Sequence, residues 1–265
     1  MDIMDRFKLG ISAASDSFRF IWQHKILLSY LGVVTAIKMI LTIITTSYSL
    51  HKYAGILYLI TVHIPLYFLL IPITLFAQVA LTHHTAHFFD QTPTSIYKTI
   101  RATLCKWQAI LAWSCITIVS NLLFGQLTHI HYLSPLDMSL GLLGVAWALV
   151  TIFVPTSIAL EQLSLYEHLQ HSIIVMRNYL FKLLGGLLWF GIVFLLCAIP
   201  FGGAWILASF APNLYYSIIF LQIISCLELI IQWIISSACT TFKALLYLQY
   251  KKGLEELQQL QYPRL

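Results

Sequence analysis

From Leu183 to Leu227 the chain contains no Asp, Glu, Lys or Arg, a run more than twice the roughly 20 residues that a helix needs to cross a bilayer. Such a run has to cross lipid, turn and cross again. Ala211-Pro212-Asn213 supplies the turn, because proline cannot continue a helical ladder and asparagine tolerates turn geometry. Composition extends the inference to the whole molecule: 59% of residues are hydrophobic and 9% charged. With a mean hydropathy of +0.83, this lies outside the balance of a water-soluble domain.

The same test along the chain predicts apolar spans at 26–50, 55–81, 108–126, 138–160, 183–209 and 214–240, each near the length of a tilted transmembrane helix. None shows the period-two alternation of a barrel strand, so the expected class is an all-α, polytopic membrane protein with six transmembrane helices. The fifth span has the means to break early at Pro200-Phe201-Gly202-Gly203.

Charge sets the expected orientation. All of the 15 Lys and Arg except Lys38 and Lys52 fall in the N-terminal arm, the 2/3 and 4/5 connections or the C-terminal end. An excess of basic residues marks the cytoplasmic side, so both termini are expected there, in a cell inner (cytoplasmic) membrane. No small-residue cleavage site follows the first span, so the N-terminus is not expected to be a removable signal. The net charge of +5 is explained by this bias, which leaves nothing to suggest nucleic-acid binding. Five scattered cysteines without a C-x-x-C pair are expected to pack as small apolar groups.

Three times a basic amphipathic stretch leads into a pair of spans. Phe7, Ile11, Ala14, Phe18 and Ile21 share a helical face in the first; Ile96, Ile100, Leu104 and Trp107 in the second; Leu165, Leu169, Ile173, Met176 and Leu180 in the third. Thr92 before Pro93 is the expected start of the second, and a capping box of Ser164 and Glu167 that of the third. The expected architecture is a single integral membrane domain over 1–265, a threefold pseudo-repeat of amphipathic helix plus helical hairpin. Its units are 1–81, 90–160 and 164–248, with a cytoplasmic tail at 249–265. The amphipathic helices are expected to lie on the cytoplasmic side against anionic lipid. The alternative is that they extend the spans and pack on one another.

Three segments carry a family resemblance: "RFKLGISAASDSFRFIWQHKILLSYLGVV", "FAQVALTHHTAHFFDQTPTSIYKTIRATLCKWQAILAW" and "VPTSIALEQLSLYEHLQHSIIVMRNYLFKLLGGLLWFGIVFLL". Together they resemble bacterial six-helix inner-membrane proteins classed only as a domain of unknown function. More distantly the chain is similar to the membrane domain attached to some glycerophosphodiester phosphodiesterases. The resemblance implies fold and location but carries no catalytic signature. "HHTAHFFDQTP" departs from the short polar turn of that pattern.

Candidate chemistry is sparse. His83 and His87 stand four apart with Asp90 three further on, and Glu161, His168 and His171 follow the fourth span, so both turns together offer ligand types that zinc accepts. The preferred reading is that these histidines are comfortable at an interface and near helix C-termini, with no metal and no cofactor expected. H-E-x-x-H, G-x-S-x-G, P-loop and dinucleotide fingerprints are all missing. At membrane depth stand Lys38, His63 and Glu228, which are costly unless they face the bundle interior and pair. They line a permeation path, with Gln78, Asn121, Gln222 and Gln232, or they only fix bundle packing, as a Lys38 to Glu228 pair or as polar glue between helices. The expected function is therefore a structural, accessory or assembly role, with the lipid bilayer and a membrane-protein partner or second copy as its associates. A small transporter and a lipid-handling or metal-dependent enzyme are the alternatives.

Overall fold

A computed structural model describes residues 2–49, 64–92, 94–126, 135–209 and 214–261. Among the described residues the protein is all-helical. In chain order the helices are α1 (Ile3–Gln23), α2 (Ile26–Ser49), α3 (Ile64–Phe89), α4 (Ile96–Leu104), α5 (Trp107–Asn121, followed by a π turn at Leu122–Gln126), α6 (Pro135–Thr151), α7 (Val154–Leu160), α8 (Leu165–Ser209) and α9 (Leu214–Gln261). Six segments are long and apolar enough to cross a membrane: Ile26–Ile43, Phe68–Phe89, Trp107–Phe124, Gly141–Leu160, Leu165–Ala204 and Ile219–Glu255. The chain is a multi-pass membrane protein. His63, Lys52, Pro93 and the turn expected at Ala211-Pro212-Asn213 lie outside the described residues.

Local chemistry explains where the helices start and stop. Asp2 caps α1 by accepting from the Ile3 N–H at 2.6 Å. The capping box at α8 forms as expected, with Glu167 Oε2 accepting from the Ser164 N–H at 2.7 Å. At α4 the cap is Ser95, which accepts from the Lys98 N–H at 3.3 Å, so the helix begins at Ile96 and not at residue 93. Helix α3 ends in a Schellman turn: Thr92 N–H reaches His87 O at 3.0 Å and Gln91 N–H reaches Phe88 O at 3.3 Å. Gln91 takes the left-handed conformation, φ 53°.

The fourth span is two helices because Pro155, in the first turn of α7, lacks an N–H and crowds the carbonyl four residues back. Ser172 on α8 takes over the broken ladder. Its Oγ donates to Val150 O at 2.6 Å and accepts from the Phe153 N–H at 3.2 Å.

Three boundaries differ from the sequence expectation. Helix α3 runs to Phe89 rather than ending at 81, so "HHTAHFF" is helix. The third amphipathic stretch is not a separate helix, since α8 continues unbroken from Leu165 through Pro200 to Ser209. The 249–265 tail continues α9 as far as Gln261.

Helix α1 packs on α8 and does not simply lie on lipid. Its buried stripe is Gly10, Ala14, Ser17 and Ile21. Gly10 sits so close to the Lys182 carbonyl, and Gly185 to the Phe7 carbonyl, that a Cβ at either glycine would collide with backbone. Just beyond, Phe18 meets the Trp189 ring edge-on at 5.2 Å between centroids. This stripe joins one apolar core, with Leu27, Leu31, Leu81, Leu183, Phe242 and Tyr247. A second core gathers Leu75, Val79, Ile110, Trp113, Val154 and Ile158 from α3, α5 and α7. The cysteines are free: Cys105 and Cys115 are exposed, against expectation, while Cys197 and Cys226 are half-buried and Cys239 packs against the first core.

Candidate functional site

Packing brings the ends of α3, α7 and α9, the starts of α5 and α8, and the short α4 around a cleft of about 850 Å³. Its walls carry His83, His87 and Asp90 from the end of α3 and Lys106 from the α4–α5 joint. Glu161 and His168 come from the α7–α8 connection, and Lys251, Lys252 and Glu255 from α9. The two histidine turns noticed in the sequence therefore do meet at one place.

They do not meet as a metal site. Among the described residues no three His, Cys, Asp or Glu side chains could hold an ion together. The histidines are turned to other partners. The His83 and His87 rings lie 4.6 Å apart between centroids, tilted 58° to each other, and His87 Nδ1 is hydrogen-bonded to Thr92 Oγ1 at 2.7 Å. His171 pairs with Glu161 at 3.0 Å. Asp90, on the rim, is exposed. His83 Nδ1 is buried without a partner.

Two buried networks, neither anticipated from sequence, hold this end together. In the first, His84 Nδ1 is bonded to the Tyr30 hydroxyl at 2.7 Å and to Thr99 Oγ1 at 3.2 Å, joining α2, α3 and α4. In the second, Ser157 Oγ is bonded to His168 Nδ1 at 2.8 Å and accepts from the Tyr247 hydroxyl at 3.2 Å, joining α7, α8 and α9. A serine beside an imidazole is the start of a nucleophile arrangement. Here Ser157 has no exposed surface and does not line the cleft, so substrate has no approach to its oxygen. The pair works as a polar clasp.

Lys106 is the centre of the cleft wall. Its Nζ donates to Ile158 O and Ala159 O at 2.7 Å each and to Glu161 O at 3.1 Å. These are the last-turn and C-cap carbonyls of α7, which have no intrahelical partner, and a cation there also suits the helix dipole. Burial pushes the Lys106 amine below the ordinary lysine range; Glu161 opposes that shift and Lys251 adds to it.

At membrane depth Lys38 lines a cavity of about 50 Å³ with Thr35, Thr74, Gln78, Gln232 and Ser236. Glu228 is not part of that lining; it accepts from Gln232 Nε2 at 3.3 Å. Among the described residues no Lys or Arg lies within ion-pair distance of a carboxylate, so Lys38 and Glu228 are not paired, contrary to the structural-pair expectation. The Lys38 cavity shares no lining residue with the cleft.

No family model matches the chain, and no curated protein or solved structure shows significant similarity to it.

Proposed function

We propose that the protein is an accessory or assembly component of the inner (cytoplasmic) membrane, with both termini on the cytoplasmic side. The basic bias of the connections supports that orientation, and the resemblance to six-helix inner-membrane proteins supports the location. One observation carries the accessory reading: at the basic end the strongest polar groups bind the helices to one another. Lys106 is tied to three carbonyls, and Ser157, His168 and Tyr247 to each other. What remains accessible is a cleft of about 850 Å³, which offers room for a partner segment. The test is native mass spectrometry after extraction in mild detergent, together with reporters fused to each end. A stoichiometric membrane-protein partner or second copy, lost when Lys251 and Lys252 are both replaced by Glu, is expected. A solitary chain that equilibrates solute across proteoliposomes would overturn it.

A permeation role is the second reading, and Lys38 favours it. This half-buried lysine has polar neighbours from α2, α3 and α9 but no carboxylate partner among the described residues, whereas intramembrane cations ordinarily pair. Solute flux through the wild type that disappears in Lys38→Met, with the protein still folded, would establish that reading in place of the first.

A further inference from the structure

On the other side of α9 from the cleft lies a groove of about 500 Å³ between α1, α8 and α9. Its polar lining is of one sign. Arg6 comes from α1, Arg177 and Lys182 from α8, and among the described residues no Asp or Glu lines it. None of the three cations has a carboxylate partner among the described residues, where the single ion pair is elsewhere. Lys182 instead rests over the Tyr179 ring, 5.0 Å from its centroid.

Such an arrangement is not a by-product of loose surface chains. The glycine contacts at Gly10–Lys182 and Gly185–Phe7 seat α1 directly on α8, and this crossing places Arg6, one turn before Gly10, in the same concavity as Lys182. Like charges gathered in a low-dielectric concavity repel one another and focus field, which an anion relieves. The depth is informative too. Lys182 is the last charge before the uncharged run that starts at Leu183, so the groove stands where hydrocarbon gives way to headgroups. Tyr179 and Tyr250 line it, the residue type that favours that layer. Phe181 and Leu254 line its apolar part, which a free inorganic ion would not use but a glycerol backbone and acyl chain would.

We propose that this groove binds the phosphate of an anionic phospholipid headgroup, held by the Arg6 and Arg177 guanidinium groups and the Lys182 ammonium, with the lipid's upper acyl segment along Phe181 and Leu254. Guanidinium groups match phosphate oxygens two at a time, and lysine adds a point charge. The site rests on the proposed orientation only for which leaflet supplies the lipid; its affinity does not depend on it.

The experiment titrates the detergent-solubilised full chain with phosphatidylglycerol, phosphatidylcholine or inorganic phosphate and counts bound lipid by native mass spectrometry. One phosphatidylglycerol per chain is expected to bind in preference to phosphatidylcholine. Each of the exposed-residue variants Arg6→Gln and Arg177→Gln should weaken it about fivefold, and the triple variant with Lys182→Gln about a hundredfold. Lys98→Gln with Arg101→Gln on α4 should leave it unchanged. Equal binding of both lipids, wild-type binding in the singles, or the same loss in the α4 control overturns the site. Displacement of phosphatidylglycerol by inorganic phosphate at equal concentration overturns the lipid source. End-reporters on the outer side would sink the orientation while leaving these affinities intact.

Discussion

Helix α9 presents two faces to two different concavities, and the contrast separates cations that hold the fold from cations left for something else. Lys251, Lys252 and Glu255 face the cleft, where Asp90 and Glu161 also stand and Lys106 is committed to three carbonyls. Tyr250 and Leu254 face the groove, where Arg6, Arg177 and Lys182 meet no carboxylate among the described residues. Both surfaces sit at the same end and carry similar basic residues. Bonding, not charge count, tells them apart: a buried carbonyl left without its donor costs about 1–3 kcal/mol, whereas the groove cations hold no carbonyl or carboxylate among the described residues whose bond a substitution would break.

The contrast is sharpest at Lys106. Replacing it by Met strips the end of α7, and unfolding of the purified protein in detergent should show a loss of about 2–3 kcal/mol. Lys182→Met in the groove should change stability by less than about 0.5 kcal/mol; similar losses in both would erase the distinction. Gly10→Ala comes next. Its Cβ meets the Lys182 backbone, so a loss of about 2 kcal/mol from overpacking is expected, and phosphatidylglycerol binding should fall with it because Arg6 moves off α8.

On the cleft side, Ser157→Ala leaves His168 and Tyr247 short of a partner and should cost about 1–2 kcal/mol. If thermal melts show no change, the clasp is not holding α7, α8 and α9. Gln91→Gly, at the turn beside Asp90 on the cleft rim, relieves a left-handed side-chain residue and should raise stability by about 0.5–1 kcal/mol. The smallest effect belongs to Lys38 and Glu228. Lys38→Met and Glu228→Gln should be additive within about 0.5 kcal/mol in a double-mutant cycle, and a larger coupling would restore the ion pair that the structure lacks.

Much of the fold was legible in the residues, and the errors have specific causes. The sequence expectation ends the second span at residue 81, eight residues short of Phe89, because His83, His84 and Thr85 read as a polar boundary. In the structure His84 and Thr85 are buried and bonded, His84 to Tyr30 and Thr99, Thr85 to the Leu81 carbonyl, so their polarity is hidden from lipid. Lys182 marks the expected break between the third amphipathic stretch and its span, yet a lysine does not interrupt a helical ladder, and α8 runs unbroken through it. Of the candidate site residues, His83, His87, Asp90 and His168 share the cleft, while His171 turns to Glu161. Ser157 went unnoticed as one small hydroxyl in an apolar run; only its distance of 11 residues from a histidine at the next helix start hinted at a contact.

By themselves, the residues determined that this chain lives in a membrane, that it crosses as helices and how many times, because hydrocarbon thickness is matched by the length of a local apolar run. Partnership was decided only in three dimensions. Each residue turns about 100° around its helix, so a small difference in how two helices rotate or cross changes which side chains meet. That is why Lys38 and Glu228, at matching depths in the sequence, pass each other by, while Arg6 and Lys182, far apart along the chain, share one groove.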